Sequence, residues 1–296
     1  MYTIDYDKNK NILEVKNTSN GVYGKIYLND GGSLQELILN NQRLIADLNP
    51  LAYKLTYASA ILFPFANRIE DGQYRFNEEV FQLEINNKEE NNALHGLVFN
   101  KPFRVQKKII KKDSAKVILQ YKSNGTEVGF PFPYTIQLTY VFKQDNLDLS
   151  IEVENNGNKT FPFTIGWHPY FLSENLEDSS LDFESTKQLN IGNRNIASGL
   201  FNVDKIETLK FGTKNFDDCW MLNKPLITLK TPKYHLDIIT SEPSSFLQVY
   251  TPPKPNVVAI EPTTGVSNSF NNKIGLKTLE PNDVFSINWS LKIHVN

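Results

Sequence analysis

The segment Val284-Phe285-Ser286-Ile287-Asn288-Trp289-Ser290-Leu291-Lys292-Ile293-His294-Val295 alternates apolar and polar side chains. Every second residue from Phe285 to Ile293 is apolar, and the residues between them, from Ser286 to Lys292, are polar. Successive side chains of a strand point to opposite faces, so this period of two places one apolar row and one polar row on the two sides. The segment therefore predicts a half-buried β-strand.

Similar short runs rich in Val, Ile, Tyr, Phe and Thr recur along the chain and are separated by clusters of Asn, Asp, Gly and Pro. The other clear runs are residues 21–28, 103–110, 116–121, 134–142, 147–154 and 235–240. Four dipeptides tolerate the positive φ of tight turns and predict hairpin connections: Asn20-Gly21, Asp71-Gly72, Asn124-Gly125 and Asn156-Gly157. Helical spacing is poor throughout, and residues 50–62 predict a loop with at most a short helical turn.

Many strands and few helix signals predict an all-β fold, a large antiparallel β-sandwich. We find neither a repeat of fixed period nor a linker-like tract in the 296 residues. All-β domains reach this size as one unit. Residues 1–296 are therefore predicted to form a single domain.

The composition narrows the class of function. Hydrophobic residues make up 40% of the chain, enough for a substantial core, and the formal net charge is -2. That balance offers no basic field for nucleic acid or for anionic lipid, so neither partner is expected. The single cysteine, Cys219, cannot form an internal disulfide or a multi-cysteine zinc site. With no signal-peptide pattern over residues 1–8, we predict a cytoplasmic protein.

Two of the four histidines have contexts that suit chemistry. His168 lies among aromatic residues in the stretch 161–171, and Pro169 biases it toward an extended backbone. A rigidly held neutral imidazole suits general acid or base work, although the local context alone favours a core histidine bonded to a backbone carbonyl. His95 precedes Gly96 in a region suited to a loop site, and a solvated turn histidine is the plainer interpretation. His235 and His294 lie within strand-like runs and are assigned no role.

One arginine and one glutamate complete the set of candidates. Arg68 follows the apolar stretch 63–66 and could place its fork of donors at a pocket wall, or it could form a surface pair with Glu70 or Asp71. Glu261 ends the apolar run 257–260, which predicts a carboxylate at the end of a buried strand. A solvated strand-terminal glutamate is the alternative.

Four short motifs contain these residues. In chain order they are Asn67-Arg68-Ile69 with Gly72 and Phe76, Leu94-His95-Gly96, Gly166-Trp167-His168-Pro169-Tyr170-Phe171, and Glu261-Pro262. In their order and spacing they resemble the motifs of the aldose 1-epimerase family. The resemblance runs from about Gly31 to the C-terminal strand. It implies a large antiparallel β-sandwich and an isomerase that interconverts the α and β anomers of free aldoses without a cofactor or metal.

By this resemblance, Glu261 matches the general base that removes the proton of the anomeric hydroxyl, and His168 matches the general acid that protonates the ring oxygen. Both transfers reverse when the ring closes on its other face. A carboxylate and an imidazole suit this exchange because each can donate and accept a proton.

The resemblance also suggests which residues bind the sugar. Arg68 and His95 match sugar-contacting positions, with Asn67 beside them. Asp217 matches an aspartate that accepts hydrogen bonds from sugar hydroxyls, and Asp218 is the alternative at an offset of one residue.

Trp220 is expected to face the apolar side of a pyranose. Trp167 is expected to point away from the face that His168 uses, because neighbouring residues of a strand face opposite sides.

The expected partner is a monosaccharide, and the expected assembly is a monomer or homodimer. The segment 97–103 lacks the arginine and tryptophan associated with hexose 6-phosphate relatives, which disfavours a phosphorylated substrate. Mutarotation of a hexose 6-phosphate stays open as an alternative. So does a noncatalytic carbohydrate-binding or sensing module, since β-sandwiches host many functions.

Overall fold

The protein is described by a computed structural model that covers residues 1–243 and 245–295. Strands make up 56% of the structure and helices 5%, so the predicted all-β class is confirmed. The described helices are short: α1 (Tyr53–Thr56), α2 (Ser269–Asn272), and two 3-10 turns, Thr18–Asn20 and Asn193–Asn195. No helix in this described part is long and apolar enough to cross a membrane.

Strands of very different length follow one another along the described residues. In chain order they are β1 (Thr3–Asp7), β2 (Ile12–Asn17), β3 (Val22–Tyr27), β4 (Ser33–Leu39), β5 (Gln42–Ile45), β6 (Ile61–Leu62), β7 (Arg68–Glu70), β8 (Gln73–Phe76), β9 (Glu79–Gln82), β10 (Asn92–Leu94), β11 (Arg104–Ile110), β12 (Ala115–Asn124), β13 (Pro133–Phe142), β14 (Asn146–Asn155), β15 (Phe161–Phe163), β16 (Gly166–Trp167), β17 (Tyr170–Leu172), β18 (Ser180–Ile191), β19 (Ala197–Lys210), β20 (Asp217–Met221), β21 (Leu226–Lys230), β22 (Tyr234–Thr240), β23 (Phe246–Tyr250), β24 (Val257–Thr263), β25 (Lys277–Leu279) and β26 (Val284–Val295).

Two antiparallel sheets form the sandwich. The N-terminal sheet is a meander of β1 to β5, and the larger sheet follows the order β11-β12-β13-β14-β26-β22-β21-β18-β20-β23-β24-β16-β6. Strand β17 also pairs with β24, and β19 pairs with β18. The sheets meet closely where the Phe142 ring lies against Gly24, since a Cβ there would come within 2.3 Å of the ring. The hydroxyl of Tyr140 donates to the carbonyl of Gly32 across the same interface, at 3.0 Å.

The alternating C-terminal strand lies inside the larger sheet, between β14 and β22. Ile287, Trp289, Leu291 and Ile293 are buried, whereas the polar positions between them keep contact with solvent, as the period of two predicted. Trp289 stacks on Trp167 of β16 at 6.3 Å between ring centroids. The core thereby fixes the residue that precedes His168.

The other predicted strands are also present, and the 50–62 region is a loop with the one-turn helix α1. The turn predictions were only partly correct. Residues at Asn20-Gly21 and Asn124-Gly125 connect the paired strands β2 with β3 and β12 with β13. Asp71-Gly72 and Asn156-Gly157 do not close hairpins, because β7 pairs with β10 and β15 pairs with β25. These dipeptides predict a local turn, but they do not predict which strands pair with one another in the sheet.

One end of the larger sheet positions the polar residues of interest. Strands β20, β23 and β24 are adjacent, and directly opposed residues share a face: Cys219 with Gln248, and Gln248 with Glu261. Asp217 is two residues from Cys219 on the same strand, so it lies on that face as well. The face therefore carries two carboxylates and an amide close to one another.

Candidate active site

A cavity of about 300 Å³ opens over these side chains. Six of the seven site residues predicted from the sequence line it: Asn67, Arg68, His95, His168, Asp217 and Glu261. They come from β7 and the residue before it, from β20, from β24 and from the loops that follow β10 and β16. A pocket of this size with convergent polar groups is typical of a small-molecule site.

Glu261 lies at the floor of the cavity and is 3% exposed. The solvated alternative is therefore wrong. The strand β24 continues two residues beyond it, to Thr263, so the carboxylate stands within the strand rather than at its end. All of β24 is buried, which holds this carboxylate in a rigid element and away from bulk water.

His168 is held through its backbone on both sides. Its amide donates to the carbonyl of Ala60 at 3.0 Å, and its carbonyl accepts from the amide of Ser59 at 2.8 Å. The ring is 4% exposed and stacks on Tyr170, with 4.9 Å between ring centroids. Trp167 points the other way, into the core, as the strand alternation predicted.

The Nε2 atom of His168 lies 3.3 Å from Oε1 of Glu261. Burial lowers the pKa of His168 from 6.5 to about 4. Burial, with Asp217 adding to it and Arg68 opposing it, raises the pKa of Glu261 well above its usual value. Both shifts disfavour the charged forms, so an ionised Glu261 is a stronger base and a protonated His168 a stronger acid than in water.

Arg68 reaches the cavity from the start of β7. Its Nε donates to Oε2 of Glu90 at 2.6 Å, and its Nη1 donates to Oδ1 of Asn67 at 3.0 Å. The predicted alternative of a surface pair with Glu70 or Asp71 is wrong, because both of those carboxylates pair with Arg194. Arg68 thus faces the cavity with its charge partly neutralised by Glu90.

His95 lies beside His168 and is 8% exposed, so it is not a solvated turn residue. Their ring centroids are 5.1 Å apart, and Tyr57 covers the other side of His95 at 4.7 Å. Burial, followed by the nearby His168 and Arg68, lowers the pKa of His95 well below its usual value. His95 therefore faces the cavity as a neutral imidazole.

The backbone that carries His95 is unusual. Its φ is +61°, and its amide donates to the carbonyl of Asn67 at 2.8 Å. Gly96 follows with a φ of +76°, and a Cβ there would lie 2.3 Å from the carbonyl oxygen of Phe63. Only glycine fits this close approach, so the backbone segment at Phe63 requires a glycine directly after His95.

The two aspartates of β20 face opposite sides. Asp217 lies at the cavity rim, where its Oδ1 accepts from Nε2 of Gln248 at 2.7 Å. Partial burial raises the pKa of Asp217, Arg68 lowers it, and the neighbouring carboxylates raise it further. Asp218 instead accepts from Gln188 on β18. The geometry therefore favours Asp217 over Asp218 as a contact for a bound ligand.

Trp220 is the one predicted site residue that the structure does not bring to the cavity. It is 3% exposed and packs against Phe183 in the core, with 5.4 Å between ring centroids. The expectation that it faces a sugar is corrected by strand alternation, because it is three residues from Asp217 and lies on the opposite face of β20.

Sequence reasoning missed several residues of this site. Tyr57, Tyr170, Gln248, Tyr250 and Asn195 also line the cavity. Gln248 could have been found once β23 and β24 were paired, since it is directly opposite Glu261. Asn195 lies in the connection between the paired strands β18 and β19, which has no local motif, and its approach to the cavity depends on tertiary structure.

The site is rich in proton donors and acceptors, and its carboxylates are dispersed among neutral side chains. Over residues 1–243 and 245–295, no group of three or more His, Cys, Asp or Glu side chains is arranged to hold a metal ion.

Solved structures share this fold over the full chain. A galactose mutarotase-like protein from Clostridium acetobutylicum superimposes with a TM-score of 0.86 at 20% identity, covering 100% of this chain and 99% of that one. A galactose 1-epimerase from Lactobacillus acidophilus gives a TM-score of 0.80 at 20% identity, covering 100% and 98%. The architecture is therefore that of the galactose mutarotase-like β-sandwiches.

The sequence comparisons define the family. The aldose 1-epimerase family model matches residues 17–292, and the chain belongs to that family. Among relatives, the uncharacterized protein YihR of Escherichia coli is 23% identical over 272 residues, covering 88% of this chain and 87% of its own. The aldose 1-epimerase of Haemophilus influenzae is 27% identical over 225 residues, covering 66% and 64%.

Proposed function

We propose that the protein is a mutarotase that interconverts the α and β anomers of a free, uncharged aldose. In this proposal Glu261 is the general base at the anomeric hydroxyl, and His168 is the general acid at the ring oxygen. Arg68, His95, Asp217 and Asn67 hold the sugar by hydrogen bonds. The reaction needs no cofactor, because ring opening and closure transfer protons and break and re-form one C–O bond without a net change of oxidation state.

The observation that carries the proposal is the contact between His168 and Glu261. The anomeric hydroxyl oxygen and the ring oxygen of a pyranose are bonded to the same carbon, so an acid and a base that serve them must stand side by side. The 3.3 Å between Nε2 and Oε1 meets that requirement at the floor of the cavity. Glu261 is held on a buried strand and His168 by backbone hydrogen bonds on both sides, which limits the motion needed for both proton transfers.

Ring opening follows directly from these positions. An ionised Glu261 takes the hydroxyl proton while the bond between C1 and the ring oxygen breaks, and a protonated His168 delivers a proton to that oxygen. Rotation about C1–C2 presents the other face of the aldehyde, and closure returns both protons. Burial strengthens Glu261 as a base and His168 as an acid, which favours each transfer.

The short separation argues against His168 and Glu261 acting as the flanking pair of a glycoside hydrolase. Such enzymes place their two carboxyl groups about 5 to 9.5 Å apart, on opposite sides of the anomeric carbon. His168 and Glu261 are too close to one another to flank a glycosidic bond in that way.

The charges of the cavity argue against a sugar phosphate. Arg68 is the only Lys or Arg among the described residues that line it, and Glu90 already pairs with that guanidinium. Asp217 and Glu261 place two acidic groups in the same space. A dianionic phosphate would find no unpaired cation there, so an uncharged sugar fits better.

A noncatalytic sugar-binding module is the second function class. A binding site needs polar contacts but has no need of a buried imidazole beside a buried carboxylate, both with displaced pKa values. Such pairs are concentrated at catalytic sites, which favours the enzyme.

Polarimetry tests the proposal. The protein should speed the equilibration of freshly dissolved α-glucose or α-galactose, and glucose 6-phosphate should be a poorer substrate than glucose. His168→Asn should reduce the rate by about 10²–10⁴-fold. The matched control His235→Asn, on β22 and outside the cavity, should retain it. Thermal stabilisation by sugar without any acceleration would support the binding module instead, and a preference for the phosphate would overturn the charge argument.

A further inference from the structure

Glu90 lies behind Arg68 and faces it with both carboxylate oxygens. The Nε of Arg68 is 2.6 Å from Oε2, and its Nη2 is 3.4 Å from Oε1. Only 15% of the Arg68 side chain and 24% of the Glu90 side chain are exposed. A fork of this kind fixes the plane of the guanidinium as well as its position.

Glu90 is itself held by two amides. Asn87 Nδ2 donates to Oε2 at 2.7 Å, and Asn195 Nδ2 donates to Oε1 at 2.8 Å. Asn87 is anchored in turn by a pair of backbone hydrogen bonds with Asn92, at 3.0 and 3.1 Å. Each carboxylate oxygen thus accepts from the arginine on one side and from an amide on another.

Asn195 comes from a remote part of the chain, the tip of the long hairpin formed by β18 and β19. Arg194 ties this tip to the strand and turn before Glu90, through Glu70 at 2.6 Å and Asp71 at 2.7 Å. The carbonyl of Asn195 also accepts from the hydroxyl of Ser267 at 2.7 Å. The tip is therefore bound on three sides, with the Asn195 side chain at the cavity wall.

We propose that Glu90 is a positioning residue that orients the Arg68 guanidinium toward the substrate, and that the β18–β19 hairpin holds Glu90 through Asn195. The proposal rests on the proposed mutarotase function. Three N–H groups of Arg68 are engaged by Glu90 and Asn67, which leaves its remaining N–H groups for sugar hydroxyls. Without Glu90 the Arg68 guanidinium would no longer be held in one orientation.

Glu90 also sets how strongly Arg68 acts on the catalytic carboxylate. The charged and titratable groups around Glu261 come from five segments: His168, Tyr170, Arg68, Asp217, Cys219 and Tyr250. Arg68 is the group among them that lowers the pKa of Glu261. Removing the negative charge of Glu90 leaves the Arg68 charge less compensated, which should lower that pKa further.

The test compares Glu90→Gln with Glu89→Gln, a matched change at the exposed neighbouring residue. Mutarotation of α-galactose by the full chain should show KM raised about tenfold in E90Q, the order expected when a charge-assisted hydrogen bond to substrate is misplaced, with a smaller change in kcat. The alkaline limb of kcat/KM, which Glu261 sets because its raised pKa lies above that of His168, should move to lower pH. E89Q should match the wild type in both respects.

A wild-type KM together with an unmoved alkaline limb in E90Q would overturn the proposal. This holds even if the melting temperature of E90Q falls, because a merely structural role predicts that pattern. Should E90Q fail to fold, Asn195→Ala removes one hydrogen bond to Glu90 and should produce smaller changes in the same directions. Unchanged KM in that variant would likewise overturn the role of the hairpin.

A readout independent of activity separates this proposal from the proposed function. The Nε–H resonance of Arg68, assigned by its loss in Arg68→Lys, should shift in E90Q and stay in place in E89Q. A wild-type protein that fails to accelerate mutarotation defeats the proposed function. The resonance still decides whether Glu90 fixes Arg68, and an unchanged signal in E90Q refutes that contact.

Discussion

Replacing His168 with asparagine should change how the free energy of unfolding responds to acid. Burial lowers the pKa of His168 from 6.5 to about 4. An unfolded chain therefore binds a proton near its ordinary pKa, whereas the native protein binds one only at lower pH. Between these two values the unfolded state holds more protons, so native stability falls as the pH falls.

The size of the effect follows from the same two values. At about 1.4 kcal/mol for each unit of pKa, the lowered pKa of His168 corresponds to about 3 kcal/mol of stability. This stability is fully present above the pKa of His168 in the unfolded chain and is lost below its pKa in the native protein. The ring is 4% exposed, so solvent screening reduces the figure little. Asparagine cannot titrate, and the variant should lack this part of the acid sensitivity.

Urea unfolding followed by tryptophan fluorescence, from about pH 7 to about pH 3.5, measures this directly. The stability of the wild type minus that of H168N should decrease by about 3 kcal/mol over that range. The same subtraction with His235→Asn reports the effect of losing a histidine outside the cavity. A wild-type minus H168N difference that stays constant with pH would refute the assigned burial of a neutral imidazole.

Three further outcomes are expected. Glu261→Gln should be more stable than the wild type, and the difference should grow as the pH rises above the usual carboxyl pKa. Burial raises the pKa of Glu261, so its ionised form destabilises the native state. A difference in urea midpoints that narrows as the pH rises would contradict this. Gly96→Ala should lower the free energy of unfolding by more than about 2 kcal/mol, since its Cβ would meet a backbone oxygen at 2.3 Å. The control Gly212→Ala, with φ +53° and open space around it, should lower that free energy by about 1 kcal/mol. Equal losses in chemical denaturation would count against the close approach at Gly96. In steady-state mutarotation, Asp217→Asn should raise the KM for an aldose about tenfold, and Asp218→Asn should leave the KM unchanged. The reverse ranking would contradict Asp217 as the residue that contacts the sugar.

The fold was largely readable from local patterns, because each strand records its buried face in its own residues. The alternating segment from Val284 to Val295 predicted β26 with the bounds that the structure shows. Pairing was less readable. Asp71-Gly72 has the residues of a hairpin turn, yet β7 pairs with a strand more than twenty residues later, which no local signal encodes.

Some residues of the site could likewise be predicted from the sequence, and others could not. Glu261 and His168 were identified through the resemblance of their motifs, and the structure places them in contact. Trp220 was misassigned, although its odd spacing from Asp217 along one strand already placed the two on opposite faces. Glu90 and Asn195 could not be predicted, because their contact joins segments about one hundred residues apart that meet only in the folded chain.

The most direct test of the central claim is the polarimetric rate of freshly dissolved α-galactose and α-glucose with wild-type protein and with Glu261→Gln at equal concentration. The proposed chemistry predicts that the wild type accelerates equilibration of at least one of these sugars by about 10²-fold or more over the variant. A folded wild-type protein that leaves both sugars at the rate of buffer alone, or a variant that matches the wild type, would contradict the assignment of Glu261 as the base.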